Sequence, residues 1–469
     1  MKKRSCLILF LMANLFLFGQ DFTFKVKIKQ VEKEKGYSIK NDKKLNSISQ
    51  KYKDKGWVQC YPNAKNPKLS LYFSIKGSGQ KDFFKKELLD YGKFDTIVEE
   101  KMCYAESCNN PVASVNDEWI AQNWANNYAL NLIEANCAWS ISQGSSNIHV
   151  GIADTEFETT HDDLENKIDI INGQSSGNHE HGTFVSGLAS AETNNNIGVA
   201  GIGYNTQINA HRIVHSVDNS GGAGANPVEI RAAIWDLYQD GAPIINVSWT
   251  GTGLDFEAAE EITENGTVLV LAAGNLPNAT NHSAIANIPG VIIVSSVDGD
   301  NNHGATNHAH NQWVDICAPG INVSTTITQN TYGGCWGTSC AAPIVSGTIG
   351  LMLEVNPCLT PSNIEDIIEQ SADPVADASS FIGLIGAGRL NAYKAVMAAG
   401  TRDYDNMFMS GYQDLNAGYG FNLNNISIGS NSNINLDARK EVNINGTFDI
   451  PIGSTFSIDI GSTIQTNCQ

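Results

Sequence analysis

Positive charge is scarce over most of this 469-residue chain. Residues 102–469 hold 8 Lys and Arg against 38 Asp and Glu, whereas residues 1–101 hold 22 against 11. A surface that acidic repels phosphates, so nucleic acid is excluded as a partner of the larger part. CxxC pairs and His-rich zinc spacings are missing too, and no zinc site is expected. Beyond the first twenty residues no run is read as long and apolar enough to cross a bilayer, so no membrane span is expected.

What is present starts with MKKRSCLILFLMANLFLFGQ, where three cationic residues precede about a dozen apolar ones and a small residue. Residues 1–20 therefore read as a signal peptide, and the mature protein is expected to be secreted, extracellular or at the cell surface. Cys6 precedes the apolar run, which argues against a lipoprotein anchor. Nine further cysteines permit disulfides in an oxidising compartment but fix no pairing.

The length admits roughly three domains. Residues 21–115 form a lysine-rich α+β module and its linker, with strands in LSLYFSIKG and FDTIVEE, a helix in QKDFFKKELLDYG, and an exposed linker around CNNPVAS. From residue 116 to 400 the pattern alternates: NIHVGIAD, QINAHRIVH, PIINVSW, TVLVLAAGN and VIIVSSVD read as buried strands, HGTFVSGLASA and VEIRAAIWDLYQDG as helices. Such alternation predicts an α/β domain with a parallel sheet covered by helices on both faces, its site at the carboxyl ends of the strands. Residues 401–469 shift to Asn, Gly, Ser and Ile and read as a short β-rich tail of loosely repeated strands.

Those strand ends carry candidate chemistry. NIHVGIAD ends in Asp154, LAAGN ends in Asn275, and His181 opens the helix in HEHGTFVSG. In WGTSCAAP, Ser339 precedes the apolar run Ile344–Val355, where free N–H groups and the positive end of a helix dipole gather. Ser339 is therefore either a nucleophile or, with Thr338, a helix cap. A hydroxyl, an imidazole, a carboxylate and an amide together are the parts of acyl transfer through a covalent intermediate. His161 and His179 compete with His181 as the base, and GQSSG, Gly173–Gly177, offers a rival nucleophile elbow.

Taken together these stretches resemble the subtilisin-like serine proteases, over about Asn116–Ala398. DTE, HGTFVSG, AAGN and GTSCAAP match the family's motifs in the family's order, and NDEWIAQNW, CAW, HDDL and GAGRLNA resemble further landmarks. The resemblance implies a serine endopeptidase acting through Asp154, His181 and Ser339, with Asn275 in the oxyanion hole. It implies protein or peptide substrates laid as a strand between SGGAG, including Gly222, and SWTG, with Ser248, Trp249 and Thr250. The lysine-rich module would be a propeptide that inhibits until it is cut, in a self-processed zymogen. A structural calcium would be held by Asp117, Asp163, Asn195 and the Ile197 and Val199 carbonyls. Three departures stand out: Glu156 in place of Gly, which would bring a second carboxylate toward Asp154; Glu180 beside His181; and Cys340 in place of Met, read as a small buried apolar residue in preference to a redox switch. An inactive binding scaffold and an adhesive protein acting through its tail are the competing readings.

Overall fold

Val268, Val270 and Ala272 face one side of their strand and Leu269, Leu271 and Ala273 the other, and all six are buried. That period of two with apolar residues on both faces belongs to a central strand covered on both sides. The computed structural model describes residues 21–28, 57–59, 72–78, 94–100, 115–117 and 128–461, apart from 176–180, 218–222, 250, 281, 305–307, 406, 440 and 453. The chain divides into two compact units, Met1–Asn109 and Asn110–Gln469.

In the first unit β1 (Asp21–Ile28), β2 (Trp57–Gln59), β3 (Tyr72–Ser78) and β4 (Phe94–Glu100) form a sheet in the order β2-β3-β1-β4. Its pairs are antiparallel. β3 and β4 coincide with the two expected strands, whereas β1, the alternating DFTFKVKI, was missed. The helix expected over QKDFFKKELLDYG lies outside the described residues.

The second unit opens with short helices α1 (Tyr128–Leu132) and α2 (Ala135–Trp139). Its main strands are β5 (His149–Asp154), β6 (Ile168–Asn172) and β7 (Gln207–Arg212). A two-stranded ribbon of β8 (His215–Val217) and β9 (Ala223–Ala225) precedes β10 (Ile244–Val247), β11 (Val268–Ala272), β12 (Val291–Val297) and β13 (Ile316–Pro319). These form one parallel seven-stranded sheet in the order β13-β12-β11-β10-β5-β7-β6. The order reverses beside β5, between β7 and β10, and crevices at such switch points hold the sites of open parallel sheets.

Helices α3 (His181–Ser190) and α6 (Thr338–Val355) cover one face; α4 (Pro227–Gln239) and α5 (Phe256–Glu264) cover the other. The domain continues with α7 (Pro361–Ser371) and α8 (Ala392–Gly400). The hairpin β14 (Ile321–Ile327) and β15 (Thr331–Trp336) leads straight into α6. By length and composition α6 could cross a bilayer, which corrects the expectation that no such segment follows the first twenty residues. It is instead a core helix of this fold, with every residue except Ser339, Leu353 and Glu354 buried. Its Gly347 lies so near α3 that an added Cβ would sit 2.4 Å from Ile202 Cγ2 and 2.6 Å from the Ala189 carbonyl.

From β16 (Thr401–Asp405) through β17 (Phe408–Met409), β18 (Tyr412–Ala417), β19 (Gly420–Ile428), β20 (Asn433–Ala438) and β21 (Glu441–Asp449) to β22 (Thr455–Ile460), the tail winds as a short parallel solenoid. Equivalent residues such as Tyr412, Asn433 and Thr455 stack from strand to strand. Phe421, Leu423, Ile434 and Leu436 fill its interior. It is docked on the α/β domain by Arg439, whose guanidinium donates to the Ile141 carbonyl at 2.7 Å.

Because α3 and α6 leave no room at their crossing, Gly347→Val is expected to lower stability by ~3 kcal/mol, the upper end of overpacking costs. A shift of the denaturation midpoint at unchanged slope checks this; an unshifted midpoint would mean that the crossing yields.

Candidate active site

Asp154 is the last residue of β5 and fully buried, with Oδ1 accepting the Thr155 N–H at 2.7 Å. His181 begins α3, and its Nδ1 lies 2.8 Å from Asp154 Oδ1 and 3.0 Å from Oδ2. Thr155 Oγ1 accepts the Gly182 N–H at 3.0 Å, tying the first turn of that helix to the end of β5. Burial pulls the His181 pKa down, but the charge of Asp154 and its hydrogen bond outweigh burial and leave it raised above 6.5.

Ser339 stands in the first turn of α6. Neither it nor Thr338 caps the helix: the cap position is Gly337, at φ 109°, with no side-chain capping bond. An added Cβ there would lie 2.7 Å from Asn275 Oδ1, so both conformation and space demand glycine. Asn275 lies just beyond β11, and its Oδ1 accepts from Thr338 N at 2.9 Å and Thr338 Oγ1 at 3.2 Å. Pinned through its oxygen, the Asn275 amide keeps its NH₂ for another acceptor.

Pro343 has no N–H to bond the carbonyl four residues back, which is that of Ser339. The Ser248 hydroxyl supplies the missing donor at 3.0 Å, while the Ser248 carbonyl lies 3.2 Å from Ser339 Oγ as an acceptor. Asn246 Nδ2 in turn donates to Ser248 Oγ at 3.0 Å, and Ser346 Oγ donates to Asn246 Oδ1 at 3.1 Å. The ends of β5, β10 and β11 thus stand at one edge of the sheet, at the switch point, with the Ser339 turn pinned to two of them.

Residues 145–420 match the subtilase family. The chain belongs to that family. Thermitase of Thermoactinomyces vulgaris is 34% identical over 57% of this chain and 95% of its own length. The thermophilic serine proteinase of Bacillus sp. (strain AK1) is 34% identical over 55% of this chain and 64% of its own. Subtilisin DY of Bacillus licheniformis is 29% identical over 57% of this chain and 97% of its own. This subtilase is a subtilisin-like serine endopeptidase by that membership.

The remaining expected residues sort as follows. Trp249 is half-buried and packs on the apolar face beneath it. Gly222, Thr250, His179 and Glu180 lie outside the described residues. His161 is fully buried; its Nδ1 accepts the Asp163 N–H at 3.1 Å, so Nε2 carries the proton donated to the Thr331 carbonyl at 2.9 Å. That is a structural histidine. In the rival elbow Gln174 and Ser175 are exposed in an irregular segment after β6.

Glu156 was expected to bring a second carboxylate toward Asp154. It is instead held by Arg212, whose Nε lies 2.9 Å from Glu156 Oε2, because β5 and β7 pair Asp154 with Arg212 and so bring the two side chains to neighbouring strand ends. Cys340 is buried, as expected, but as a disulfide partner of Cys335 and not as a free apolar filler.

Asp117, Asp163 and Asn195 come together. Asp117 and Asp163 are fully buried, and Asp117 accepts the Asn194 and Asn195 N–H groups at 2.9 and 3.3 Å. Asp163 accepts from Asn195 Nδ2 at 2.8 Å and the Val199 N–H at 2.9 Å. The Ile197 N–H turns inward to Asn195 Oδ1 at 3.1 Å. Burial, with Asp163 adding to it, raises the Asp117 pKa to about 6. Tyr332, a residue missed in the sequence, hydrogen-bonds Asp163. Another buried carboxylate group, Asp315, Glu365 and Glu369, has its oxygens within 4.8 Å of one another, yet Asp315 and Glu365 already accept the Ile293 and Gly290 N–H groups at 2.7 Å.

The folded protein holds the His181 proton more tightly than the unfolded chain does, so this stabilisation is full below 6.5 and is lost as pH rises through the folded value. NMR titration is expected to place His181 above 6.5 in the native protein and lower in Asp154→Asn, where the carboxylate charge that raises it is gone. An unmoved midpoint would separate the two groups electrostatically.

Proposed function

We propose that this subtilase is exported, processes its own amino-terminal module and hydrolyses peptide bonds in proteins or peptides. The reading is carried by one observation: a buried Asp154 on the ring nitrogen of His181, at the sheet's switch point where the Ser339 turn is pinned by Asn275.

In this reading Ser339 Oγ attacks the scissile carbonyl carbon and its proton passes to His181 Nε2. Asp154 holds Nδ1–H and so selects the tautomer whose Nε2 lone pair faces the hydroxyl. The new oxyanion takes hydrogen bonds from Asn275 Nδ2 and from a free N–H of the first turn of α6. His181 then protonates the leaving amine, and water, activated by the same imidazole, cleaves the acyl-enzyme. The substrate chain would lie as an added strand along Ser220–Gly224 and Ser248–Gly251, through main-chain bonds that tolerate many sequences.

Residues 1–20 would direct export, and residues 21–115, the propeptide and linker, would leave the 116–400 protease domain on maturation. Opposite net charge on residues 1–101 and 102–469 favours their association. Calcium fits the loop: two fully buried carboxylates of like charge lie beside the oxygen-bearing Asn195 side chain, the ligand type a hard cation takes. Asp117, Asp163, Asn195 and the Ile197 and Val199 carbonyls would hold it. Bound there, it would supply positive charge to the buried acids and fasten the loop.

Ser339→Ala is expected to abolish both peptide hydrolysis and removal of the amino-terminal module. Asn275→Ala is expected to lower kcat by roughly 10² to 10³ with KM little changed, the loss of one oxyanion donor. Normal processing in the first variant would refute the assignment of the nucleophile. For calcium, Asp163→Ala should lower Tm in calcium and matter little in chelator; equal loss in both buffers would mean a purely hydrogen-bonding role.

A further inference from the structure

The turn that carries Ser339 has a weak point and a covalent brace across it. Gly337, at φ 109°, occupies the cap position without a side chain to cap the helix. Pro343 removes the helical bond to the Ser339 carbonyl a turn later. Cys335, at the end of β15, and Cys340, immediately after Ser339, close a disulfide over this stretch, their Cα atoms 6.3 Å apart. Both cysteines are buried, at 3% and 4% exposure. The ring they close contains Trp336, Gly337, Thr338 and Ser339, so its conformation and the aim of the Ser339 hydroxyl are one variable.

From this juxtaposition we infer that the Cys335–Cys340 disulfide is a positioning element for Ser339 and makes the protease redox-dependent, active when oxidised and slowed when reduced. The inference rests on the assignment of Ser339 as nucleophile. A dithiol supplies the two electrons and two protons: one of its thiolates attacks a disulfide sulfur, the second closes on the mixed disulfide, and Cys335 and Cys340 leave as thiols while the dithiol becomes a cyclic disulfide. Without the brace, only the Asn275, Ser248 and Gly320 hydrogen bonds hold the turn and the Ser339 hydroxyl loses its fixed aim, while Ser248, beside which the substrate strand would lie, stays held at the end of β10 by Asn246. The cost therefore falls on kcat and on the acylation rate and spares KM. Reduction elsewhere is a separate event, since Cys358 is also disulfide-bonded.

The full mature chain, as purified, is alkylated before and after reduction and the thiols at 335 and 340 are mapped by mass spectrometry. Labelling rates with a fluorophosphonate, and kcat and KM for a peptide, are then measured with and without dithiol for the native protein and for Cys335→Ala/Cys340→Ala. Dithiol is expected to slow labelling and kcat of the native protein about tenfold with KM within about twofold. The double variant should be as slow as reduced native protein and indifferent to dithiol, and near-ultraviolet circular dichroism checks that it is folded. Free thiols at 335 and 340 before reduction, or label on Ser339 at equal rates in both redox states, would overturn the inference. Label on a residue other than Ser339 would instead overturn the nucleophile assignment.

Discussion

A proline at 343 takes away the N–H that would have bonded the Ser339 carbonyl, and a glycine at 337 stands where a capping side chain would otherwise close the helix. The first turn of α6 is consequently held from outside. Ser248 donates to the freed carbonyl, Asn275 accepts from Thr338, and the Gly337 N–H finds the Gly320 carbonyl at 2.7 Å. Each of these partners comes from the carboxyl end of a different strand: β10, β11 and β13. The sheet is thus part of the machinery, since its register decides which donor reaches the turn. Freed backbone groups at a helix start would cost as much as lost hydrogen bonds if left unpaired in the interior.

The two sides of the sheet divide the work. Small residues on α3 and α6 let these helices approach closely, which brings His181 and Ser339 to the same end of the sheet from two covering elements. Asp154 and Asn275 arrive from strands at fixed spacing. The buried chain Ser346–Asn246–Ser248 lies under the turn, and every member has a named partner, which is the condition under which a buried polar network confers rigidity.

The hairpin β14–β15 joins two regions that are distant in sequence. At its tip side, the Thr331 carbonyl accepts from His161 and Tyr332 bonds Asp163, both beside the Asn194–Val199 loop. At its other end Cys335 is bonded to Cys340. The loop proposed to hold calcium and the turn of Ser339 therefore share one rigid element, through contacts that are all hydrogen-bonded or covalent.

Sequence alone determined the alternation of strands and helices in residues 116–400 and the order of Asp154, His181, Asn275 and Ser339. Those features rest on local periodicity and on short contiguous motifs that need no distant partner. The hairpin before α6, α5 and the first strand of the lysine-rich module were missed, being short or weakly patterned, and the parallel winding of the tail is a choice of partners that strand propensity leaves open. Only the tertiary structure decided where side chains with several available partners would go. Glu156 went to Arg212 because β5 and β7 are in register; Cys340 went to Cys335 because Gly337 folds the intervening turn back; Ser248 turned its hydroxyl inward because Pro343 had left a carbonyl unpaired. A residue's type sets what it can bond, but which bond it makes is set by the strand register and helix approach that place its neighbours.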